Sequence, residues 1–121
     1  MQRHIFVVDD NDANLTMAAA VLEKKYVVFT IPSAEKMFVL LKRIKPDVIL
    51  LDIEMPDMGG FDAIAKLKGT PDLNDIPVVF FTGWTDEKLS ADAAKAGAVD
   101  ILIKPVTPEA LLECVQKIFD Q

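Results

Sequence analysis

The sequence predicts a doubly wound α/β domain, five parallel strands with helices on both faces of the sheet. Three observations carry that prediction. Five short runs of apolar and β-branched residues recur along the chain, each followed by a segment with helical spacing or cap chemistry. Runs such as Ile5-Phe-Val-Val8 and Val48-Ile-Leu-Leu51 are apolar at every position, the pattern of strands covered on both faces. Parallel strands joined through helices need right-handed crossovers, which fold the helices onto the sheet.

The first strand, residues 5–8, runs into Asp9, Asp10, Asn11 and Asp12, residues suited to a turn and a helix cap. The helix that follows carries Leu15, Ala18, Ala19 and Leu22 on one side, and Glu23, Lys24 and Lys25 close it. A second strand, residues 26–31, is halted by Pro32. Ser33 is placed to cap a helix bearing Met37, Phe38, Leu40, Leu41 and Ile44, which Pro46 ends by forcing its predecessor out of the α region. The third strand, residues 48–51, leads directly into Asp52. A loop over 54–60 precedes a helix with Phe61, Ile64, Ala65 and Leu67, and residues 69–75 are polar and turn-rich.

The fourth strand, residues 78–81, stops at Thr82-Gly83. An alanine-rich helix spans about 86–96, with Gly97 as its stop. The fifth strand, residues 101–103, ends at Lys104-Pro105. Thr107 and Pro108 read as the N-cap and first residue of a final helix whose stripe is Leu111, Leu112, Val115, Ile118 and Phe119. Cys114 borders that stripe as a small packing residue, and Met37, Met55 and Met58 read as packing too. His4 has no partnering motif and reads as surface or satisfied core.

The chain of 121 residues is read as one domain, 1–121, able to bury a core without disulfides or a structural metal. Its single cysteine excludes an intramolecular disulfide and suits a reducing compartment. A net charge of −6 argues against nucleic acid and against anionic membrane surfaces. No apolar run approaches the roughly 20 residues of a membrane span, and the N-terminus lacks the shape of a signal peptide. A cytoplasmic location is expected.

Ligands of open parallel sheets bind beyond the carboxyl ends of the strands. Asp9 and Asp10 stand there after the first strand, Asp52 after the third, Thr82 after the fourth and Lys104 after the fifth. Two carboxylates about 4 Å apart repel by roughly 4 kcal/mol at an effective dielectric near 20, so three together either raise their pKa values or hold a cation. An all-oxygen donor set without His or Cys favours Mg2+ over zinc or copper. A metal and Lys104 together would neutralise an incoming phosphoryl group, and Asp52 would be the positioned nucleophile. Taken singly, each residue has an ordinary reading: a cap for the aspartates, a solvated lysine, a strand-end threonine. All of those readings would have to hold at once.

Four segments resemble the bacterial response-regulator receiver family: Val7-Val-Asp-Asp10, Pro46-Asp-Val-Ile-Leu-Leu-Asp-Ile-Glu-Met-Pro56, Ile76-Pro-Val-Val-Phe-Phe-Thr-Gly83, and Gly97-Ala98 through Lys104-Pro105. They span nearly the whole chain in the family's order and spacing. The resemblance implies the flavodoxin-like strand order 2-1-3-4-5. It implies that Asp52 accepts a phosphoryl group from a histidine kinase or phosphotransfer protein, with Mg2+ held by Asp9, Asp10, Asp52 and the backbone carbonyl of Glu54. One of the acidic pair would bind the ion directly and the other through water. Thr82 and Lys104 would each bind a phosphoryl oxygen, and Lys104-Pro105 resembles the family's cis peptide. The implied response is a shift of the fourth helix, fifth strand and fifth helix toward an output domain or downstream protein.

Many members of that family carry Tyr or Phe where this chain has Ile101, so the aromatic's rotamer swing is not available here. Glu54 and Trp84 occupy the positions that, by the same resemblance, flank the water attacking the acyl phosphate, and are expected to set its lifetime, with an ordinary packing role the alternative for Trp84. Other function classes fit less well. A haloacid-dehalogenase-type phosphatase needs a second acid followed by Thr or Val, where the sequence reads Glu54-Met55-Pro56, and it needs a cap domain. A flavodoxin-like cofactor binder would set the flavin phosphate against Asp9-Asp10. A pseudo-receiver usually lacks one of the key residues, and all are present here.

Overall fold

The computed structural model describes residues 2–83 and 86–120. Each β-rich run forms a strand and each helical pattern a helix, in strict alternation: β1 (His4–Val8), α1 (Asp12–Leu22), β2 (Val27–Ile31), α2 (Ala34–Leu40), β3 (Val48–Asp52), α3 (Gly60–Lys68), β4 (Val78–Thr82), α4 (Leu89–Ala96), β5 (Asp100–Ile103) and α5 (Pro108–Phe119). All pairings are parallel, in the order β2-β1-β3-β4-β5.

Strand side chains alternate between two cores, as the two-residue period requires. Phe6, Val8, Ile49, Leu51, Val78 and Phe80 face one way, against Met37 of α2, Ile64 and Leu67 of α3 and Leu89 of α4. Ile5, Val7, Val48, Leu50 and Val79 face the other, against Leu15, Ala18 and Leu22 of α1 and Leu111 and Val115 of α5. Burial on both faces explains why β1, β3 and β4 read as unbroken apolar runs. The β5 edge is less covered, with Ile103 43% exposed.

Side-chain caps fix three helix starts: Asn11 accepts from the Asn14 N–H, Ser33 from Lys36, and Thr107 from Ala110. Gly97, at φ +103°, ends α4 in the left-handed conformation that favours glycine. Cys114 is buried, its thiol 3.5 Å from an Asp100 carboxylate oxygen, and burial pushes its pKa up to about 12, so it stays an unreactive packing group.

Several expected boundaries move. The second helix does not run on to Pro46: after Leu40 the Lys42 and Arg43 N–H groups bond three residues back, tightening the chain into turns. Tyr26 lies outside β2 because its N–H bonds the Leu22 carbonyl of α1. The fourth helix starts at Leu89 and not near 86, since the Asp86 side chain accepts from the Lys88 N–H and holds a turn there. On α3 the buried alanine is Ala63, while Ala65 is exposed.

Candidate functional site

The connection from β1 leads to β2 on one side and that from β3 to β4 on the other, so a crevice opens beyond the ends of the two central strands. Val8 and Leu51 are registered partners, which brings Asp9 and Asp52 out side by side. Thr82 pairs with Ile103, and the Lys104 N–H bonds the Thr82 carbonyl at 2.8 Å, so Lys104 follows at the same edge. A pocket of about 500 Å³ is lined there by Asp9, Asp10, Asn14, Asp52, Thr82 and Lys104, among others. Five residues chosen from four separate stretches of sequence thus meet in one place.

Asp9, Asp52 and Thr82 are buried, whereas Asp10 is exposed. One carboxylate oxygen from each of Asp9, Asp10 and Asp52 lies within 4.8 Å of the others. The Lys104 Nζ sits 2.7 Å from an Asp9 oxygen and 3.5 Å from an Asp52 oxygen, with the Phe81 ring centroid 5.0 Å away. The Glu54 N–H donates to the same Asp52 oxygen at 3.4 Å. Burial pushes the Asp52 carboxyl up to about 6, helped by the charge of Asp9 and less by Asp10. The Lys104 ammonium and the Glu54 N–H pull it the other way. Desolvation and like charge win because one ammonium is shared between two carboxylates.

A family model for the response regulator receiver domain matches residues 5–116. The chain belongs to the receiver domain family. Among its relatives, the protein PilH of Pseudomonas aeruginosa is 33% identical over 115 residues, which cover 94% of this chain and 95% of PilH. The response regulator PleD of Caulobacter vibrioides is 35% identical over 119 residues, covering 98% of this receiver domain but only 26% of PleD. The chemotaxis protein CheY4 of Vibrio cholerae superimposes with a TM-score of 0.92 at 25% identity, covering 98% of this chain and 99% of that one. The BeF3-activated DrrB receiver domain gives 0.90 at 27% identity, with full coverage of both chains. No helix among the described residues is long and apolar enough to cross a membrane.

The other residues singled out in the sequence do not all gather at the receiver's acidic centre. Glu54 is exposed at its rim. The Lys104–Pro105 peptide bond is cis. Ile101 is not at the centre: it packs half-buried against the α2-α3-α4 core and lines a separate hollow with Ser90, Ala93 and Ala98. Trp84 lies outside the described residues. A further hollow on the outer face of α5 is lined by that helix and Asp120 alone and gathers no convergent groups.

Sequence reasoning passed over two residues of the site. Gly60 opens α3 so close to β3 that an added Cβ would stand 2.8 Å from the Asp52 carbonyl oxygen and 2.8 Å from the Ile53 Cα. Asn14 donates its side-chain amide to Asp9 at 3.1 Å. The available signal for Asn14 was positional: it stands three residues after the cap Asn11, where side chains commonly reach back toward the helix start.

Proposed function

We propose that this receiver domain is a phosphoacceptor switch in which Asp52 takes a phosphoryl group from the phosphohistidine of a partner histidine kinase or phosphotransfer protein. The observation that carries the reading is the placement of Asp52: a buried carboxylate, ending a central strand, opening onto a pocket where the carboxylates of Asp9 and Asp10 and the Lys104 ammonium gather. In the transfer, an Asp52 oxygen forms the new O–P bond as the P–N bond breaks. The electron pair stays on the departing imidazole nitrogen, which takes a proton.

The donor set fits Mg2+: three carboxylate oxygens within mutual reach, no sulfur or imidazole among them, and room for water and phosphate in the pocket. Asp9, Asp10, Asp52 and the Glu54 carbonyl would hold the ion. Bound there, it would draw charge from the phosphoryl oxygens. The chain's own residues do the rest. Lys104, now shared between Asp9 and Asp52, is within reach of an incoming phosphoryl oxygen, and Thr82 would donate its hydroxyl to another.

The added charge of about −1.5 to −2 then shifts the packing of α4, β5 and α5, which would meet a downstream protein or output domain. With isoleucine at position 101, that shift proceeds without an aromatic rotamer swing. Glu54 at the rim, with Trp84, would govern access of the hydrolytic water.

Intact-mass measurement after incubation with acetyl phosphate, with and without Mg2+, tests the reading on the parent and on Asp52→Asn. One phosphoryl group gained, requiring Mg2+ and lost in the variant, is the expected result. No gain under any condition would overturn it and leave an interaction module with an acidic edge.

A further inference from the structure

Asp9 is fully buried, and its two oxygens are held by three donors of the chain. The Asn11 N–H donates to Oδ1 at 2.9 Å, the Asn14 side-chain amide to Oδ2 at 3.1 Å, and the Lys104 ammonium to the same Oδ2 at 2.7 Å. Two of the three come from one rigid place, the N-terminus of α1. There the Asn11 side chain accepts from the Asn14 N–H at 3.1 Å, and the Leu15 N–H bonds the Asn11 carbonyl.

In an ordinary capping box, the side chain three residues into the helix reaches back to the N–H of the cap residue. Here that N–H is taken by Asp9, and the side chain at the same position, Asn14, turns to the other Asp9 oxygen. The Asp9 carboxylate therefore occupies the middle of the box, gripped at both oxygens by neutral donors. Lys104 is the one charged donor of the three, a long-stemmed ammonium divided between Asp9 and Asp52.

We propose that Asn14 is a positioning residue for the acidic centre, holding the Asp9 carboxylate in one orientation when Lys104 swings from it to a phosphoryl group. This inference rests on the phosphoacceptor reading and deepens it. Without Asn14, the described contacts leave the buried Oδ2 to the Lys104 ammonium. Its departure then leaves that oxygen unsatisfied, so Asp9 either keeps the lysine or rotates. Either way the centre is less ready for Mg2+ and for the incoming group. Donors behind a metal-binding carboxylate commonly change affinity by about 10–100-fold when removed.

The test is calorimetric titration of Mg2+ into the parent, Asn14→Ala, Asn14→Leu and Asn14→Gln, followed by acetyl phosphate labelling rates at saturating Mg2+. Asn14→Ala and Asn14→Leu are expected to bind Mg2+ roughly tenfold more weakly and to label more slowly. Asn14→Gln, which keeps a donor on a longer arm, should recover much of both. A general packing role would not produce that rescue. Affinities within twofold of the parent for the alanine and leucine variants would overturn the proposal, as would a glutamine variant as impaired as leucine. Should one variant fail to fold, the remaining pair still decides. If the parent binds Mg2+ and takes a phosphoryl group while all variants match it, the Asn14 role alone falls. If the parent does neither, the phosphoacceptor reading falls and takes this inference with it.

Discussion

Replacing Asp52 by asparagine is expected to make the metal-free domain more stable at neutral pH, and the size of the gain should depend on pH. The carboxyl of Asp52 titrates at about 6 in the fold, against about 3.9 in an unfolded chain. Because the folded value is the higher one, the native state holds the proton more tightly. Stability from this group is fully present below the unfolded pKa and is lost as pH rises through the folded one. At pH 7 the charged carboxylate costs at most about 3 kcal/mol, from roughly two units at 1.36 kcal/mol each. That figure is already net of the Lys104 attraction, and a gain of roughly 1–3 kcal/mol is expected for Asp52→Asn. At pH 5 the parent carboxyl is mostly protonated in the fold, and linkage reduces the gain to about half. Urea unfolding of parent and variant in EDTA, at pH 7 and pH 5, reads both numbers. A variant no more stable than the parent at pH 7, or a gain that does not shrink on acidification, would refute the electrostatic account of the site.

Gly60→Ala should destabilise the domain by about 1–3 kcal/mol. The added Cβ meets the backbone of Asp52 and Ile53 at 2.8 Å, a conflict larger than the roughly 1 kcal/mol that alanine offers a helix over glycine. Urea unfolding checks it, and the variant should also label more slowly because the Asp52 backbone must shift. Glu54→Ala, at the exposed rim, should shorten the life of the phosphorylated state several-fold while leaving stability nearly unchanged. Decay of the phosphorylated mass after removal of acetyl phosphate measures this, and equal lifetimes would show that Glu54 does not govern water access.

The strand and helix order was legible because burial on both faces writes a local signature: uninterrupted apolar runs such as Val48–Leu51, each followed by cap chemistry. The acidic centre was legible because parallel topology sends every strand end to the same edge. Asp9, Asp52, Thr82 and Lys104 needed only the strand order and register to be brought together. What sequence did not show depends on contacts between elements. Nothing local distinguishes Gly60 from an ordinary loop glycine, since its constraint is the nearness of β3 and the Phe80 ring. Asn14 reads as one more polar residue in a helix's first turn until Asp9 is seen between it and Asn11. The end of α2 was misread because Ile44 keeps the apolar spacing and packs on the core although the chain has left the α-helix.

The stability penalty at Asp52 and the proposed capacity of the site to gather Mg2+ and phosphate have one physical origin. Three carboxylates and one ammonium leave the edge of the sheet with uncompensated negative charge. A divalent cation relieves the repulsion that desolvation has magnified, and the free energy released enters the binding constant. Binding at 100 times the dissociation constant stabilises a fold by about 2.7 kcal/mol, the same order as the Asp52 penalty. The unfolding comparison repeated in Mg2+ should therefore narrow or reverse the ranking. The parent gains from the cation, while Asp52→Asn, one carboxylate poorer, gains less. A parent whose unfolding midpoint ignores Mg2+ would separate the two effects, leaving the raised Asp52 pKa as a property of burial alone.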